Sequence, residues 1–298
     1  MPVVDVHVHL ARIHFPAVGV PRDHTLTVEQ LIGRMDREGI DVAVLLPLES
    51  PEAFFEHYLT AEAFADAARY PERLIPFCHV DPRQMSYFRE AVVLGRLERM
   101  ARDGGRGFGE HKVGLPLDHP WSRACFRLAG QLGLPVLLHL DLTLNTDENG
   151  QPGLERLLRD LPETTFIGHG PTFWGEVSAD YDRAAGVAYP EGPVVPGGST
   201  DRLLADYANL YADLSARSCL NALTRDPDWT PGFVERHWRK LMLGTDYLRP
   251  GEELPILAWL RRFSLTDEQR SAIEGGTAAR LLGLDAARPD PSTSIGPG

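Results

Sequence analysis

Short apolar runs, rich in β-branched residues, recur along the chain and are separated by longer segments with helical periodicity. Runs that are apolar on both faces are typical of strands covered on both sides of a parallel sheet. Eight such runs are predicted as strands, at residues 3–10, 41–48, 74–80, 107–113, 135–140, 164–169, 209–214 and 241–246. Each strand is therefore expected to lie in the interior of an α/β domain.

The segments between these runs carry the signals of amphipathic helices. Helices are predicted at residues 27–38, 51–69, 87–103, 121–132, 154–161 and 273–284. Thr27 is a candidate N-cap, and Gly39 follows the end of the first helix. Eight strands alternating with helices predict an α/β fold of the (β/α)8 TIM-barrel type. A doubly wound open sheet is the alternative, but no glycine-rich fingerprint follows an early strand.

Two segments depart from this alternation. Residues 171–200 are rich in glycine, proline and aromatic residues and are too long for a routine loop after strand six. They are predicted to form a lid, or alternatively a flap that covers apolar surface or contacts another subunit. Residues 286–298 are rich in proline, serine and glycine and are predicted to be a disordered tail. Residues 1–285 are thus expected to form one domain.

Composition narrows the classes of partner. The formal net charge of −12 argues against binding to nucleic acid or to an anionic membrane. Three scattered cysteines without paired spacing indicate free thiols in a reducing compartment. No secretory signal or membrane-length apolar run is present, so a cytoplasmic protein is expected.

The first predicted strand contains an unusual pair of histidines. His7 and His9 interrupt a run of valines and, two residues apart, face the same side of the strand. Buried imidazoles need polar partners. A shared metal ion would provide one, because neutral imidazole is a common metal ligand. Two core histidines hydrogen-bonded to the backbone are the alternative.

Other ionisable residues recur at the C-terminal ends of the strands, where barrels of this type carry their active sites. They are His79 on strand three, Glu110 and Lys112 on strand four, His139 on strand five, His169 on strand six, Asp213 on strand seven and Asp246 on strand eight. Together with the first pair, these imidazoles and carboxylates exceed the needs of a structural core. The set suits a divalent metal ion.

In its order along the strands, this set resembles the amidohydrolase superfamily of metal-dependent barrels, in the amidohydrolase-related branch. The resemblance is carried by DVHVH at residues 5–9, by His139, by GHG at 168–170, by YADLS at 211–215, by GTD at 244–246 and by the closing helix. It extends over residues 1–285.

The resemblance implies a role for each matching residue. His7, His9 and Asp246 should hold a first metal ion, and His139 should bind the same ion or a second one. His169 should bind a second ion or, in a one-metal site, activate water or bind substrate. Asp246 should accept the proton of the activated water. The expected cofactor is one or two divalent ions, with zinc favoured over manganese, iron or nickel.

Strand four leaves two interpretations open. Glu110 and Lys112 face the same side of the strand, whereas His111 faces the helices. Some members of the superfamily bridge two ions with a glutamate and others with a carboxylated lysine. We favour Glu110 as the bridging ligand, because an unmodified lysine is a cation that repels a metal. An ion pair between Glu110 and Lys112 beside a single ion is the alternative.

Four residues are candidates for substrate binding. Lys112 and Arg249 could hold a substrate carboxylate, His79 lies at the mouth of strand three, and Trp174 follows the metal-site His169. Structural contacts are the alternative for His79, and a surface ion pair is the alternative for Arg249. Asp213 is predicted to orient a ligand histidine rather than to bind metal.

The predicted function is a metal-dependent hydrolase of a small acidic or cyclic amide, ester or lactone. A one-metal decarboxylase of a small aromatic or muconate-like acid is the alternative within the same branch. A non-catalytic metal-binding assembly protein is the alternative of another class, although the complete ligand set argues against it. The expected partner is a small molecule, and a homo-oligomer is compatible with the long segment after strand six.

Overall fold

A computed structural model describes residues 1–12, 25–53 and 56–284 of the 298-residue chain. Its eight strands all pair in parallel. They are β1 (Val4–Val8), β2 (Val42–Leu45), β3 (Leu74–Pro76), β4 (Phe108–His111), β5 (Val136–His139), β6 (Phe166–His169), β7 (Leu210–Leu214) and β8 (Leu241–Leu243). All eight lie within the predicted runs and are shorter than predicted.

Helices follow the strands along the described chain. They are α1 (Val28–Glu38), α2 (Thr60–Arg69), α3 (Glu90–Arg102), α4 (Pro120–Gln131), α5 (Pro152–Asp160), α6 (Pro171–Gly175), α7 (Ser199–Asp206), α8 (Ala216–Thr224), α9 (Thr230–His237), α10 (Pro255–Arg262), α11 (Asp267–Ser271) and α12 (Thr277–Leu282). In the part of the chain that the structure describes, no helix has the length and apolar character needed to span a bilayer.

The strands form two ladders, β1-β2-β3 and β4-β5-β6-β7-β8. Backbone hydrogen bonds connect the ladders at both seams. Between β3 and β4, the nitrogen of Cys78 donates to the oxygen of Gly107 at 2.9 Å. Between β8 and β1, the nitrogen of Asp246 donates to the oxygen of His7 at 2.8 Å. The eight strands thus follow one another in chain order around a TIM barrel, as predicted.

Apolar residues fill two regions of the fold. The larger cluster lies between the strands and the surrounding helices. The smaller one combines two residues of α12, Ala278 and Leu282, with residues that lie on or just after six of the strands: Val4, Val6, Val44, Leu46, Ile75, Phe77, Leu137, Ile167 and Met242. Leu137 and Ile167 precede His139 and His169 by two residues, so these histidines continue the inward face towards the C-terminal end of the barrel.

The first helix begins and ends as the sequence indicates. The Thr27 side chain accepts a hydrogen bond from the Gln30 nitrogen, the Gln30 side chain accepts one from the Thr27 nitrogen, and Gly39 ends the helix in the left-handed conformation. The predicted helix at 51–69 is wrong in its first half, because α2 begins only at Thr60. Upstream of α2, Pro51–Ala53 form one turn of 3-10 helix, and Leu48 and Tyr58 exchange backbone hydrogen bonds of 2.8 and 3.2 Å.

The segment at 171–200 contains regular helical structure at both of its ends. It opens with α6 and ends at the start of α7. Between them, the buried Glu176 carboxylate accepts hydrogen bonds from the Gly150 nitrogen at 2.9 Å, from Arg183 Nε at 2.7 Å and from Ser199 Oγ at 2.7 Å. These contacts tie the segment to the loop before α5 and to the start of α7, and its role as a lid or a flap stays a prediction. The predicted tail at 286–298 lies outside the described residues.

Candidate metal centre

The carboxyl ends of β1 and β8 bring three ligand atoms together. His7 Nε2 lies 3.0 Å from His9 Nε2, and Asp246 Oδ1 lies 3.5 Å from each of them. Both histidines are buried, whereas the Asp246 side chain keeps 30% of its surface exposed. This group is the predicted first metal site, and Asp246 is its member on the side open to solvent.

The opposite nitrogens of the two histidines are already engaged. His7 Nδ1 lies 2.5 Å from Asp213 Oδ2, and His9 Nδ1 lies 2.8 Å from the carbonyl oxygen of Leu46. In the neutral rings, an N–H at Nδ1 satisfies these acceptors and leaves a lone pair on each Nε2. Two such lone pairs and the Asp246 carboxylate oxygen then face one another without a donor between them. A divalent cation fits this donor set.

Glu110 lies between this group and two further histidines. Its Oε2 is 3.4 Å from His9 Nε2, whereas its Oε1 is 2.8 Å from His139 Nδ1 and 3.8 Å from His169 Nε2. Burial alone raises the pKa of Glu110, but the charges of Lys112 and His139 outweigh burial and hold that pKa well below its usual range. An ionised carboxylate therefore faces both groups of donors.

Asp213 holds two histidines of the cluster at once. Its Oδ2 contacts His7, and its Oδ1 lies 3.0 Å from His169 Nδ1. Burial raises the pKa of Asp213, yet His169 and His7 lower it to about 2. Ser215 Oγ adds a contact of 2.9 Å to His169 Nδ1. Asp213 therefore lies where the sequence predicts an orienting carboxylate, and Ser215 is an additional contact that the sequence analysis missed.

Asp141 is a second residue that the sequence analysis missed. Its Oδ2 lies 3.1 Å from His139 Nε2, so the His139 ring contacts Asp141 on one side and Glu110 on the other. The spacing His139-Leu-Asp141 at the end of β5 is the signal that could have identified it, because residues two apart on a strand face the same side.

Lys112 lies close to the cluster without an ion pair among the described residues. Burial lowers the pKa of this ammonium group, but Glu110, Asp246 and further carboxylates raise it above its usual value. The alternative of a direct ion pair between Lys112 and Glu110 is therefore not formed in the structure. The side chain remains a charged group beside the proposed ligands.

The other predicted substrate-binding residues make structural contacts. His79 is buried and its Nε2 lies 3.1 Å from His111 Nδ1, on the helix side of β4. Trp174 is 1% exposed and packs against Phe233 in the apolar core. Protein covers both side chains in this structure, and their contact with substrate stays a prediction. Arg249 pairs with Glu56, as the surface alternative predicted.

A buried carboxylate ties the first strand to the end of β8. Asp5 Oδ2 accepts from Thr245 Oγ1 at 2.6 Å, and its Oδ1 accepts from the Thr245 nitrogen at 3.0 Å and from the His7 nitrogen at 3.1 Å. These contacts fix the turn that carries Asp246 against the strand that carries His7.

Comparisons with known proteins agree with this arrangement. The sequence profile of the amidohydrolase family matches residues 4–284. No curated protein matches the sequence.

Solved structures with this fold include a candidate 2-pyrone-4,6-dicarboxylic acid hydrolase from Pseudomonas putida, at 18% identity over 95% of this chain and 98% of that chain, with a TM-score of 0.66. A dihydroxybenzoic acid decarboxylase from Polaromonas sp. JS666, with bound manganese and 2-nitroresorcinol, is 16% identical over 96% and 98% of the two chains, with a TM-score of 0.63. The 5-carboxyvanillate decarboxylase of Sphingomonas paucimobilis is 15% identical over 95% and 99%, with a TM-score of 0.60.

These identities show a shared fold, whereas the family profile covers nearly the whole described chain. The predicted resemblance is thereby confirmed, and this protein belongs to the amidohydrolase family of metal-dependent barrel enzymes.

Proposed function

We propose that this enzyme is a metal-dependent hydrolase of a small carboxylic acid that contains an ester, lactone or amide bond. The position of Glu110 carries the proposal. Its Oε2 lies 3.4 Å from His9, and its Oε1 lies 2.8 Å from His139, 3.8 Å from His169 and 3.9 Å from His7, so that the carboxylate contacts both groups. A carboxylate shared in this way suits two adjacent ions, the arrangement used to activate water in many hydrolytic sites.

The residues have distinct tasks in this proposal. His7, His9 and Asp246 would hold one ion, His139 and His169 the other, and Glu110 would bridge them. A bound divalent ion lowers the pKa of water and polarises a carbonyl group. Zinc is the ion we favour, since imidazole and carboxylate ligands suit it.

Asp246 is the residue proposed to move the proton. Burial raises the pKa of Asp246, but His7 and His9 hold it well below its usual range, so the group is ionised. It is also the most exposed member of the first group, so it can reach both a water and an incoming substrate. We assign it the acceptance of a proton from water and its transfer to the leaving group.

Lys112 would select for a carboxylate on the substrate. Its ammonium lies beside the ligands and lacks an ion pair among the described residues, so it can contact an anion without first breaking a salt bridge. The names of the two similar structures from Pseudomonas putida and Polaromonas also refer to carboxylic acids. We therefore propose an acidic substrate anchored at Lys112.

Metal stoichiometry by mass spectrometry tests the two-ion site. We expect about two zinc ions per wild-type chain and about one in Glu110→Ala. Glu176→Ala is the matched control, since Glu176 is as buried as Glu110 but lies in the segment at 171–200. The two variants should differ in metal content while both remain folded by circular dichroism. One ion per chain in all three proteins would contradict the two-ion site.

A decarboxylase with a single ion is the second candidate. The observation in its favour is the 2.8 Å contact between Glu110 Oε1 and His139 Nδ1, which a hydrogen bond explains without an ion between them. Release of carbon dioxide from hydroxybenzoates, measured beside the hydrolysis of acidic lactones, separates the two reactions.

Lys112→Met tests the substrate anchor, with Lys240→Met as the control. Lys240 is the other lysine of the chain, and its Nζ donates to the carbonyl oxygen of Tyr207 at 2.7 Å, away from the cluster. We expect kcat/KM for an acidic substrate to fall about 10- to 100-fold in Lys112→Met, because a charge-assisted hydrogen bond is lost. An equal loss on the methyl ester of the same substrate would contradict a carboxylate contact.

A further inference from the structure

We infer that Asp141 is the positioning residue of the second half of the site, holding the His139 ring so that Nδ1 faces Glu110 and the proposed metal. The inference rests on the proposed metal site. It begins from a contrast between the histidines. His7, His9 and His169 are each held through Nδ1 by a buried acceptor, and each directs Nε2 towards the cluster.

His139 has the opposite orientation. Its Nδ1 faces the cluster, at 2.8 Å from Glu110 Oε1, and its Nε2 lies 3.1 Å from Asp141 Oδ2. For Nδ1 to offer a lone pair to a metal, the neutral ring must carry its proton on Nε2. Asp141 stabilises that tautomer, because its carboxylate accepts the Nε2–H. Without Asp141, the remaining contact with Glu110 favours a proton on Nδ1, which blocks the metal-binding nitrogen.

The other oxygen of Asp141 fixes the carboxylate in place. Oδ1 accepts hydrogen bonds from the backbone nitrogens of Thr143 and Leu144, both at 2.6 Å, and from Thr143 Oγ1 at 3.1 Å. Oδ1 therefore contacts the loop after β5, whereas Oδ2 contacts the His139 ring. Asn145 strengthens the same loop, since its side-chain nitrogen donates to the carbonyl oxygen of His139 at 2.8 Å.

This tether is also more exposed than those of the other histidines. The Asp141 side chain is 21% exposed, whereas the Asp213 carboxylate that holds His7 and His169 is fully buried. Water can therefore compete for Asp141 but not for Asp213. We expect the second half of the site to lose metal before the first half when its tether is weakened.

Zinc-loaded protein with 15N-labelled histidine tests the inference. In the wild type, His139 Nε2–H should give a ring resonance protected from exchange with water, assigned by its loss in His139→Gln. In Asp141→Ala this resonance should broaden or disappear, and the more weakly bound zinc should be lost to a chelator at about 10- to 100-fold lower competitor concentration. Asp141→Asn should lie between, because its amide oxygen still accepts the hydrogen bond.

Thr143→Val is the matched control, because it removes one donor to Oδ1 and leaves the contact of Oδ2 with His139. It should keep the wild-type resonance and bind zinc within about twofold of the wild type. The inference is overturned if Asp141→Ala keeps the resonance, whatever its zinc affinity. It is also overturned if zinc affinity in Asp141→Ala stays within twofold of the wild type.

If the wild type binds no zinc, the proposed function fails by itself. The resonance in metal-free wild type and Asp141→Ala then decides whether Asp141 holds the ring.

Discussion

At the scale of single residues, the site is built from histidines whose second nitrogen is committed elsewhere. His9 is held by a backbone carbonyl, His7 and His169 share Asp213, and His139 contacts Asp141. Each contact restricts the rotation and the tautomer of a ring before any metal binds. The conformational entropy of these side chains is therefore lost during folding rather than on metal binding, which favours tight binding of a cation.

Asp246→Asn separates metal binding from proton transfer. The amide keeps an oxygen beside His7 and His9 but can no longer accept a proton from water. We expect the variant to retain most of its metal while kcat falls at least about 100-fold, the usual contribution of a positioned acid–base group. Metal content and steady-state kinetics of the same preparation test this. Unchanged turnover would exclude Asp246 as the proton acceptor, and His7→Ala should instead reduce the metal content itself.

At the scale of elements, a helical segment near residue 275 packs against the first strand. The helical segment Ala272–Gly276 precedes α12 and packs on β8 and β1. A Cβ added at Gly275 would come within 1.9 Å of the Pro2 carbonyl oxygen, so only glycine allows this approach. The contact anchors the start of the strand that carries His7 and His9.

Gly275→Ala should therefore destabilise the fold. We expect the free energy of unfolding to fall by about 1–3 kcal/mol, because the backbone of Pro2 must move. Gly33→Ala in α1 is the control, since a Cβ there meets only Arg37 at 3.7 Å and should stabilise the helix by about 0.5–1 kcal/mol. Urea unfolding of both variants measures the difference. Equal effects of the two substitutions would contradict a close contact at Gly275.

A pH-dependent contact joins α7 and α9. Asp201 lies 2.6 Å from both His237 Nε2 and an Arg236 terminal nitrogen. Burial raises the pKa of Asp201, but these donors outweigh burial and lower it from its ordinary value of 3.8. A carboxylate with a lowered folded-state pKa stabilises the fold above pH 3.8, and this stability is lost as the pH falls through the folded-state pKa.

Asp201→Asn should accordingly lower the free energy of unfolding by about 1 kcal/mol at pH 7. The difference in free energy between the variant and the wild type should become smaller at a pH below 3.8, the ordinary pKa of Asp201. Asp206→Asn on the same helix is the control, because the ion pair of Asp206 among the described residues is a long one, 3.8 Å to Arg202. Chemical unfolding at pH 7 and pH 3 measures both. A difference that grows on acidification would contradict the assigned sign.

At the scale of the whole molecule, the site joins distant parts of the chain. His7 lies near the start and Asp246 near the end, and Asp5 and Thr245 connect their strands. An ion bound by both would link the seam between β8 and β1, and ligands that bind only the folded state raise its stability.

Removal of metal should therefore lower the thermal stability. At a free metal concentration 100 times its Kd, the stabilisation is about 2.7 kcal/mol, which corresponds to a Tm shift of several degrees in a protein of this size. Calorimetry before and after chelation, and again after zinc is returned, measures it. In His7→Ala, the Tm should show no increase from zinc binding at the first site. An identical Tm of the wild type with and without metal would contradict the proposed linkage.

The eight strands and the cap of α1 could be predicted from the sequence alone, because side-chain periodicity and capping are local properties. The same periodicity placed the candidate ligands on one face at the strand ends, and their role as ligands stays a prediction. The sequence also identified the family through His7, His9, His139, His169 and Asp246. The cytoplasmic location and the oligomeric state stay predictions.

The contacts between side chains from distant strands could not be predicted from the sequence and are seen in the folded structure. The tertiary structure placed Glu110 between two groups of histidines, left Lys112 without an ion pair among the described residues, and buried His79 and Trp174 in structural contacts. It also brought Asp141 to His139. The physical reason is that a strand pattern fixes the face of a residue, whereas distances between strand ends depend on barrel closure and on the loops that follow each strand.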